Sequence, residues 1–479
     1  MYNTRSMHTR KRRIPPAFIS ALGVFLSLII AAIFVAPRVV KVVPQLESSE
    51  VPSTASIRIS FNRTMDQLSV ETRLSIMPSL PGSMSWDANT LVFEPLEQWP
   101  RGSTITVRLG AGARSTRFLP MLRSQTWTFS VGEPRVVYLW SAEETADIYT
   151  RPIDGIGSTR RTQTEHGVLD YALSDDHETL IYVEARADGG SDLRALELVS
   201  GEDRVLFACP EETRCMAPAL SPDEEWLAFE MRTLSLGVGG KQLSGMNQVW
   251  IIALNDVGIE LPVGPSDHVI SSPTWSPQGY LTYYDETLRI ITLVDLQTYP
   301  EMEAMTHIPS EMGLNGSWSP DGAYLIYAEI VFPTTEALPE DEGSLQTLFY
   351  SHLYRVEVAT GMTVDLSGEP VRLVEDASPV YSPDGEWIAF TRKYLQAARW
   401  SLGRQLWIMR SDGTELQQIT DDPNYNHSSL VWNLDSSALL YMRKNQADLS
   451  ESTEIWMVDL PSGEFKQIVV GGYMPQWIP

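Results

Sequence analysis

Trp318-Ser-Pro-Asp-Gly-Ala-Tyr-Leu-Ile-Tyr327 and Tyr381-Ser-Pro-Asp-Gly-Glu-Trp-Ile-Ala-Phe390 are two copies of one phrase: an aromatic residue, a tight polar turn, then a short apolar run. Ser, Pro, Asp and Gly suit the four positions of a type I turn, with Pro presetting φ at the second and Gly easing the exit. The runs that follow are aromatic, β-branched or small. They are too short for a helix and suit a strand buried on both faces. Weaker copies start at Leu173, Leu220, Trp275 and Trp432. A phrase returning every ~50 residues marks an array of stacked units.

Each hairpin is followed by a second pair of strand candidates with its own turn. Residues 405 to 420 (QLWIMRSDGTELQQIT) and 454 to 469 (EIWMVDLPSGEFKQIV) show this most clearly. Four strands per unit make a propeller blade, which cannot bury both faces alone and must stack radially. Met474-Pro-Gln-Trp-Ile-Pro479 reads as the opening strand of one more unit, with Trp477 in the place of Trp432. The rest of that unit is found at 135 to 164, in Arg135-Val-Val-Tyr-Leu-Trp, Asp147-Ile-Tyr-Thr-Arg-Pro and Arg160-Arg-Thr-Gln-Thr. The expectation is an all-β chain with a seven-bladed propeller over 135–479, closed by 474–479.

Composition frames the rest. Of 479 residues, 43% are hydrophobic and 9% aromatic, enough for real cores. Residues 17–36 (AFISALGVFLSLIIAAIFVA) carry no charge, and twenty residues of helix span roughly 30 Å, one hydrocarbon thickness. Arg5, Arg10, Lys11, Arg12 and Arg13 in the 1–16 tail place the N-terminus in the cytoplasm and the bulk of the chain outside. A cleaved signal peptide is the rival reading, but the run is long and Pro37 is a poor cleavage context. Cys209 and Cys215, six apart, suit a small disulfide ring in an oxidising compartment; two unpaired thiols are the alternative. The net charge of −25 becomes −30 once the five basic residues of the tail are set aside (−25 − 5), which argues against nucleic acid as a partner.

Residues 44–131 hold runs of strand period, among them Ser56-Ile-Arg-Ile-Ser-Phe, Thr90-Leu-Val-Phe-Glu-Pro, Ser103-Thr-Ile-Thr-Val-Arg-Leu and Thr126-Trp-Thr-Phe-Ser-Val. They predict a small β-sandwich. The succession IRISFNRTMD, LSIMPSLPGSMSW, NTLVFEPLEQWPRGSTITVRL and TWTFSV resembles the SbsA-type bacterial Ig-like domain, whose implied role is to space or display other domains. The repeats at Trp275-Ser-Pro, Trp318-Ser-Pro-Asp-Gly and Tyr381-Ser-Pro-Asp-Gly resemble those of TolB-type propellers, also found in prolyl-oligopeptidase-like peptidases. The chain departs from TolB in lacking an α/β N-terminal domain, so that resemblance implies no particular envelope partner.

No residue is assigned to catalysis, and no metal or cofactor is expected. G-x-S-x-G and H-E-x-x-H are both absent from the sequence. Asp321 and Asp384 sit in the turns that need them. In an up-and-down blade these turns share one face, and the long insertions at 232 to 246, 330 to 350 and 393 to 404 share the other. Binding usually resides on such loops. His166, His268, His307 and His427 are read as falling in interblade loops near the channel mouth, as ligand contacts or simply as polar residues in polar loops. Tyr394 and Trp400 are candidates for an exposed contact. Trp226, Trp250, Trp387, Trp407 and Trp456 are assigned to packing. Two readings follow. The first is a membrane-anchored, non-catalytic propeller that binds a protein, peptide or cell-wall glycan. The alternative is a propeller hydrolase or lyase acting at the channel mouth, with the histidines and Asp170, Asp267, Asp421 and Asp422 converging there.

Overall fold

The computed structural model describes residues 36–48, 51–141, 145–237, 240–254, 260–296, 302, 304–313, 316–332, 350–368 and 373–479. The expected anchor and basic tail lie outside these residues, as does nearly all of the 330 to 350 insertion with Glu336, Glu340, Asp341 and Glu342. Among the described residues no helix is long and apolar enough to cross a membrane. The chain divides into two compact units between Gly132 and Glu133.

The first unit pairs a four-stranded antiparallel sheet, in the order Val39–Val43, Ile57–Phe61, Thr90–Pro95, Gly82–Asp87, with a three-stranded one, Leu74–Met77, Thr104–Leu109, Gln125–Ser130. Period-two alternation drives this: Ile57, Ile59 and Phe61 are buried while Arg58 and Ser60 are not. Trp99 fills the space between the sheets, 6.1 Å from Phe93 of one and 6.2 Å from Phe129 of the other. Its indole N–H donates to the Ala55 carbonyl at 2.8 Å. Two strands escaped the sequence reading. Val39–Val43 precedes the expected start at 44, because its valines continue the apolar run without a turn signal. Gly82–Asp87 is exposed along most of its length and carries little apolar alternation.

The second unit is built from antiparallel four-stranded groups, whose strands run in chain order from an enclosed first strand to an exposed fourth. They are Val168–Leu173 to Asp203–Ala208, Thr213–Leu220 to Glu260–Val263, Ile270–Trp275 to Ala304–Pro309, and Tyr425–Trp432 to Glu464–Val470. A larger sheet joins the groups Ser317–Trp318 to Thr363–Asp365 and Val374–Tyr381 to Gln417–Gln418 through one parallel pair, Ser351 opposite Glu375. In the remaining group the last strand of the chain, Tyr473–Ile478, pairs antiparallel with Arg135–Trp140, followed by Asp147–Pro152 and Thr159–Arg160.

The doubly apolar strands explain the stacking. In Tyr324–Val331, Leu325 and Tyr327 pack on Ile291 and Leu293 of the preceding group, while Ile326 and Ala328 pack on Ile388 and Phe390 of the next. Such clusters link each group to its neighbours all the way round, ending where Leu440, Ile455 and Ile468 meet Val136, Tyr138 and Trp477. The arrangement is a β-propeller. Three tryptophans at the phrase position, though not Trp318, tie adjacent groups: the indole N–H of Trp275 donates to Ala219 O at 2.9 Å, that of Trp432 to Val380 O at 3.2 Å and that of Trp477 to Val431 O at 3.0 Å. In every case the acceptor lies one residue before the preceding copy of the phrase.

A second repeated device was missed. Ala217, Ser272, Ser378, Ser429 and Met474 all have positive φ, each three residues before the phrase residue, and the pairing register of their strands shifts there. These are β-bulges in the enclosed first strands. A proline follows four of the five, at Pro218, Pro273, Pro379 and Pro475, which is the signal that could have revealed them. Carboxylates of the preceding group catch two of the bulge amides: Ala217 N–H donates to Asp170 and Ser272 N–H to Glu230.

Candidate functional site

The turns of the phrase account for their own acids. Ser319 Oγ donates to Asp321 Oδ1 at 2.6 Å and receives the Tyr324 amide at 2.9 Å, while Asp321 also takes the Ala323 amide at 3.0 Å. Ser174 with Asp176, Ser221 with Asp223 and Ser382 with Asp384 repeat the geometry. Bonds from Ser319 and Ala323 hold the Asp321 carboxyl below the usual range.

The four histidines occupy different settings. His166 is exposed in the loop before Val168–Leu173. His268, half-buried before Ile270–Trp275, sits with Nδ1 2.6 Å from Asp285 Oδ2. His307 is not in an interblade loop: it lies exposed on the outermost strand Ala304–Pro309, 3.2 Å from Thr292 Oγ1. The run AMTHIP alternates too weakly to be read as that strand. His427 is likewise no loop residue but lies buried inside the first strand Tyr425–Trp432, whose bulge hides its period from the sequence. Its Nδ1 lies 2.8 Å from the Arg404 carbonyl and so carries the proton, while Nε2 has no partner. Burial pushes this imidazole down to about 4.

The accompanying acids are dispersed too. Asp170 serves the bulge at Ala217, and burial raises its carboxyl above the ordinary value. Asp422 pairs with Arg443 at 3.1 Å, and Asp267 is exposed. Among the described residues no group of three His, Cys, Asp or Glu side chains could hold a metal. Cys209 and Cys215 are disulfide-bonded, and both are buried.

Of the insertions, 232 to 246 extends the hairpin of Trp226–Gly237 and Gly240–Ala253 as a β-ribbon, paired out to Gly237 opposite Gly240. The stretch 395 to 404 is different. Tyr394 and Trp400 form a parallel bridge that folds the loop back, and the Arg399 guanidinium stacks 3.5 Å from the Tyr394 ring centre. Leu402 and Gly403 donate their amides to the Pro423 carbonyl at 2.9 and 3.1 Å. A Cβ at Gly403 would stand 2.2 Å from Tyr425 O, so no larger residue permits that approach. Trp400 remains 53% exposed, with Lys393 Nζ 5.2 Å from its ring centre.

Beneath the loop is a cavity of about 230 Å³, walled by Tyr394, Trp400, Trp407, Arg392, Arg399 and Asp421 among others. Arg392 is 1% exposed. Its Nε and Nη2 donate to Asp376 Oδ1 and Oδ2 at 2.7 and 2.6 Å, a bidentate pair buried on both sides. Asp376 also accepts from Ser367 Oγ, and its carbonyl from Ser351 Oγ at 2.8 Å, which stitches this group to the one before it. The remaining corner of the fork, Nη1, has no partner. Sequence reasoning found Tyr394 and Trp400 but missed Arg392 and Asp376, which lie within strands and carry no motif.

Residues 35–131 match the family model of the bacterial Ig-like domain. The first unit is a bacterial Ig-like domain. No curated protein sequence matches the chain. Among solved structures, TolB from Acinetobacter baumannii is 12% identical over 93% of this chain and 99% of its own, with a TM-score of 0.41. A putative TolB from Agrobacterium tumefaciens is 20% identical over 57% and 86%, with a TM-score of 0.38. The β-propeller domain of the Trilobed protease from Pyrococcus furiosus is 16% identical over 63% and 84%, with a TM-score of 0.45.

Proposed function

We propose that the chain is a membrane-anchored, extracytoplasmic binding or scaffolding protein. In this reading a ring of seven blades, carried with the Ig-like domain on the 17–36 anchor, presents its insertion-bearing face to a protein, peptide or cell-wall glycan. The count of seven draws support from the six copies of the phrase and from Trp477, which repeats the bond made by Trp275 and Trp432. Export draws support from the uncharged run with its basic flank and from the Cys209–Cys215 bond.

The observation that carries the binding role is the 395 to 404 loop. It is held on a rigid blade by its own backbone bonds and by Arg399 on Tyr394, yet leaves Trp400 exposed over a cavity. The enzyme reading draws less support, because His268, His307 and His427 each meet a different partner, Asp285, Thr292 and the Arg404 carbonyl, and His166 is exposed in the loop of another group. The test is capture from the native membrane with the full chain as bait, comparing the wild type with Tyr394→Ala and Trp400→Ala. The reading expects a partner whose retention falls at least fivefold in the variants. Equal retention by all three proteins overturns it.

A further inference from the structure

We propose that the cavity beneath the 395 to 404 loop is a subsite for a carboxylate-bearing sugar ring, with Arg392 Nη1 and Arg399 donating to the carboxylate and Trp400 covering the ring. The inference deepens the binding role assigned to this face and rests on it.

A guanidinium held side-on through Nε and Nη2 turns both N–H groups of Nη1 away from its carboxylate partner. On Arg392 those two N–H groups are buried, unpartnered and part of a residue that walls the cavity. A buried donor without an acceptor costs roughly 1–3 kcal/mol, so native folds leave few of them. A ligand oxygen in the cavity supplies the missing acceptor. Among the described residues Arg399 forms no salt bridge, and its stack on Tyr394 leaves its N–H groups unclaimed by any carboxylate.

Charge selects the anion. Arg392 is neutralised by Asp376, and Arg399 faces a lining that also contains Asp421. Those two pairs balance, and the Lys393 ammonium, 5.2 Å from the Trp400 ring centre, leaves one cation in surplus, which suits one delocalised negative charge with planar oxygens and disfavours a phosphate dianion. The rest of the wall suits a polyhydroxylated ring: Tyr394, Trp400 and Trp407 offer aromatic faces to its C–H groups, and Asp421 accepts from hydroxyls. Drug-sized pockets run to about 300–1,000 Å³. The cavity here is smaller, about 230 Å³, and fits one ring rather than a chain of them.

The test titrates full-length protein in detergent with sodium glucuronate, with glucose and glutamate as controls, read by saturation-transfer NMR on the ligand. Saturable binding of glucuronate alone is expected, weakened at least tenfold by Arg399→Ala and by Trp400→Ala, both exposed positions. Arg392→Lys keeps the charge but removes Nη1 and is expected to abolish binding. If that variant unfolds, the two exposed variants decide. No saturable binding, equal binding of glucose or glutamate, or binding unchanged in the variants overturns the proposal. Should glucuronate fail while partner capture still depends on Trp400, the ligand class falls and the binding face stands.

Discussion

The phrase turns and the 395 to 404 corner both concentrate polar side chains, but they differ in how those groups are satisfied. In the turns the aspartate two residues after the serine is spent locally: Asp321 and Asp384 each hold a serine two residues back and an amide two residues on. At the corner the polar groups belong to distant parts of the chain, and the fit leaves a remainder. Arg392 keeps an unused Nη1, Arg404 an unused Nε and His427 an unused Nε2, all buried. Recurrence of an acid around a ring is therefore a sign of turn mechanics. The phrase also leaves a buried donor over, at Trp318 Nε1, but at the corner the leftover donor belongs to Arg392, which walls a cavity, and that conjunction is the better pointer to a ligand.

The largest expected effect lies at the corner. Asp376→Ala leaves the Arg392 charge buried without its carboxylate and removes the acceptor for Ser367, so it should cost about 3–5 kcal/mol. Urea denaturation measures this directly. A loss below ~1 kcal/mol would mean that the pair is not held in the interior, and the contrast with the turns would collapse.

Next in size is a pH effect at the same corner. His427 titrates near 4 when folded, because of its burial, against about 6.5 unfolded. The unfolded chain therefore binds the proton first, and stability falls as pH drops from about 6.5 to about 4, by roughly 3 kcal/mol in all. Asp422 and Arg443 lie near the ring and, like the similarly lowered His177, stay in place in His427→Gln. The difference between wild type and variant isolates the one imidazole. Parallel stability curves from pH 7 to pH 4.5 would contradict the buried neutral ring.

What could be read from the sequence follows the same division. The phrase is short-range: the Ser, Asp and aromatic residues that interact lie within a few positions, so turn, hairpin and the pairing of 473–478 with 135–140 could be derived from spacing. The bulges at Ala217, Ser272, Ser378, Ser429 and Met474 were lost because one extra residue per strand breaks the period of two on which strand reading depends. That loss misplaced His427, which a strand starting at Tyr425 would have put inside. Arg392 was illegible for another reason. Its partner Asp376 is on the adjacent strand, but the burial that makes the pair informative comes from Phe390, Tyr394 and Trp407 packing round it.

The smallest effect tests the turns. Asp321→Ala removes the acceptor for Ser319 Oγ and the Ala323 amide, but the buried Ser319 hydroxyl keeps the Tyr324 carbonyl at 3.2 Å as an alternative acceptor, so roughly 1 kcal/mol is expected. The Asp321 carboxyl titrates below its unfolded value, so its contribution is present above the unfolded pKa and is lost as pH falls through the folded one. Asp384→Ala should behave alike, because its serine and amide partners are in the same register. Neither substitution should alter partner capture. If Asp321→Ala weakened capture while leaving the melting temperature within ~2 °C of wild type, the acids of the phrase would be ligand contacts after all, and the division between a structural face and a binding face would have to be redrawn.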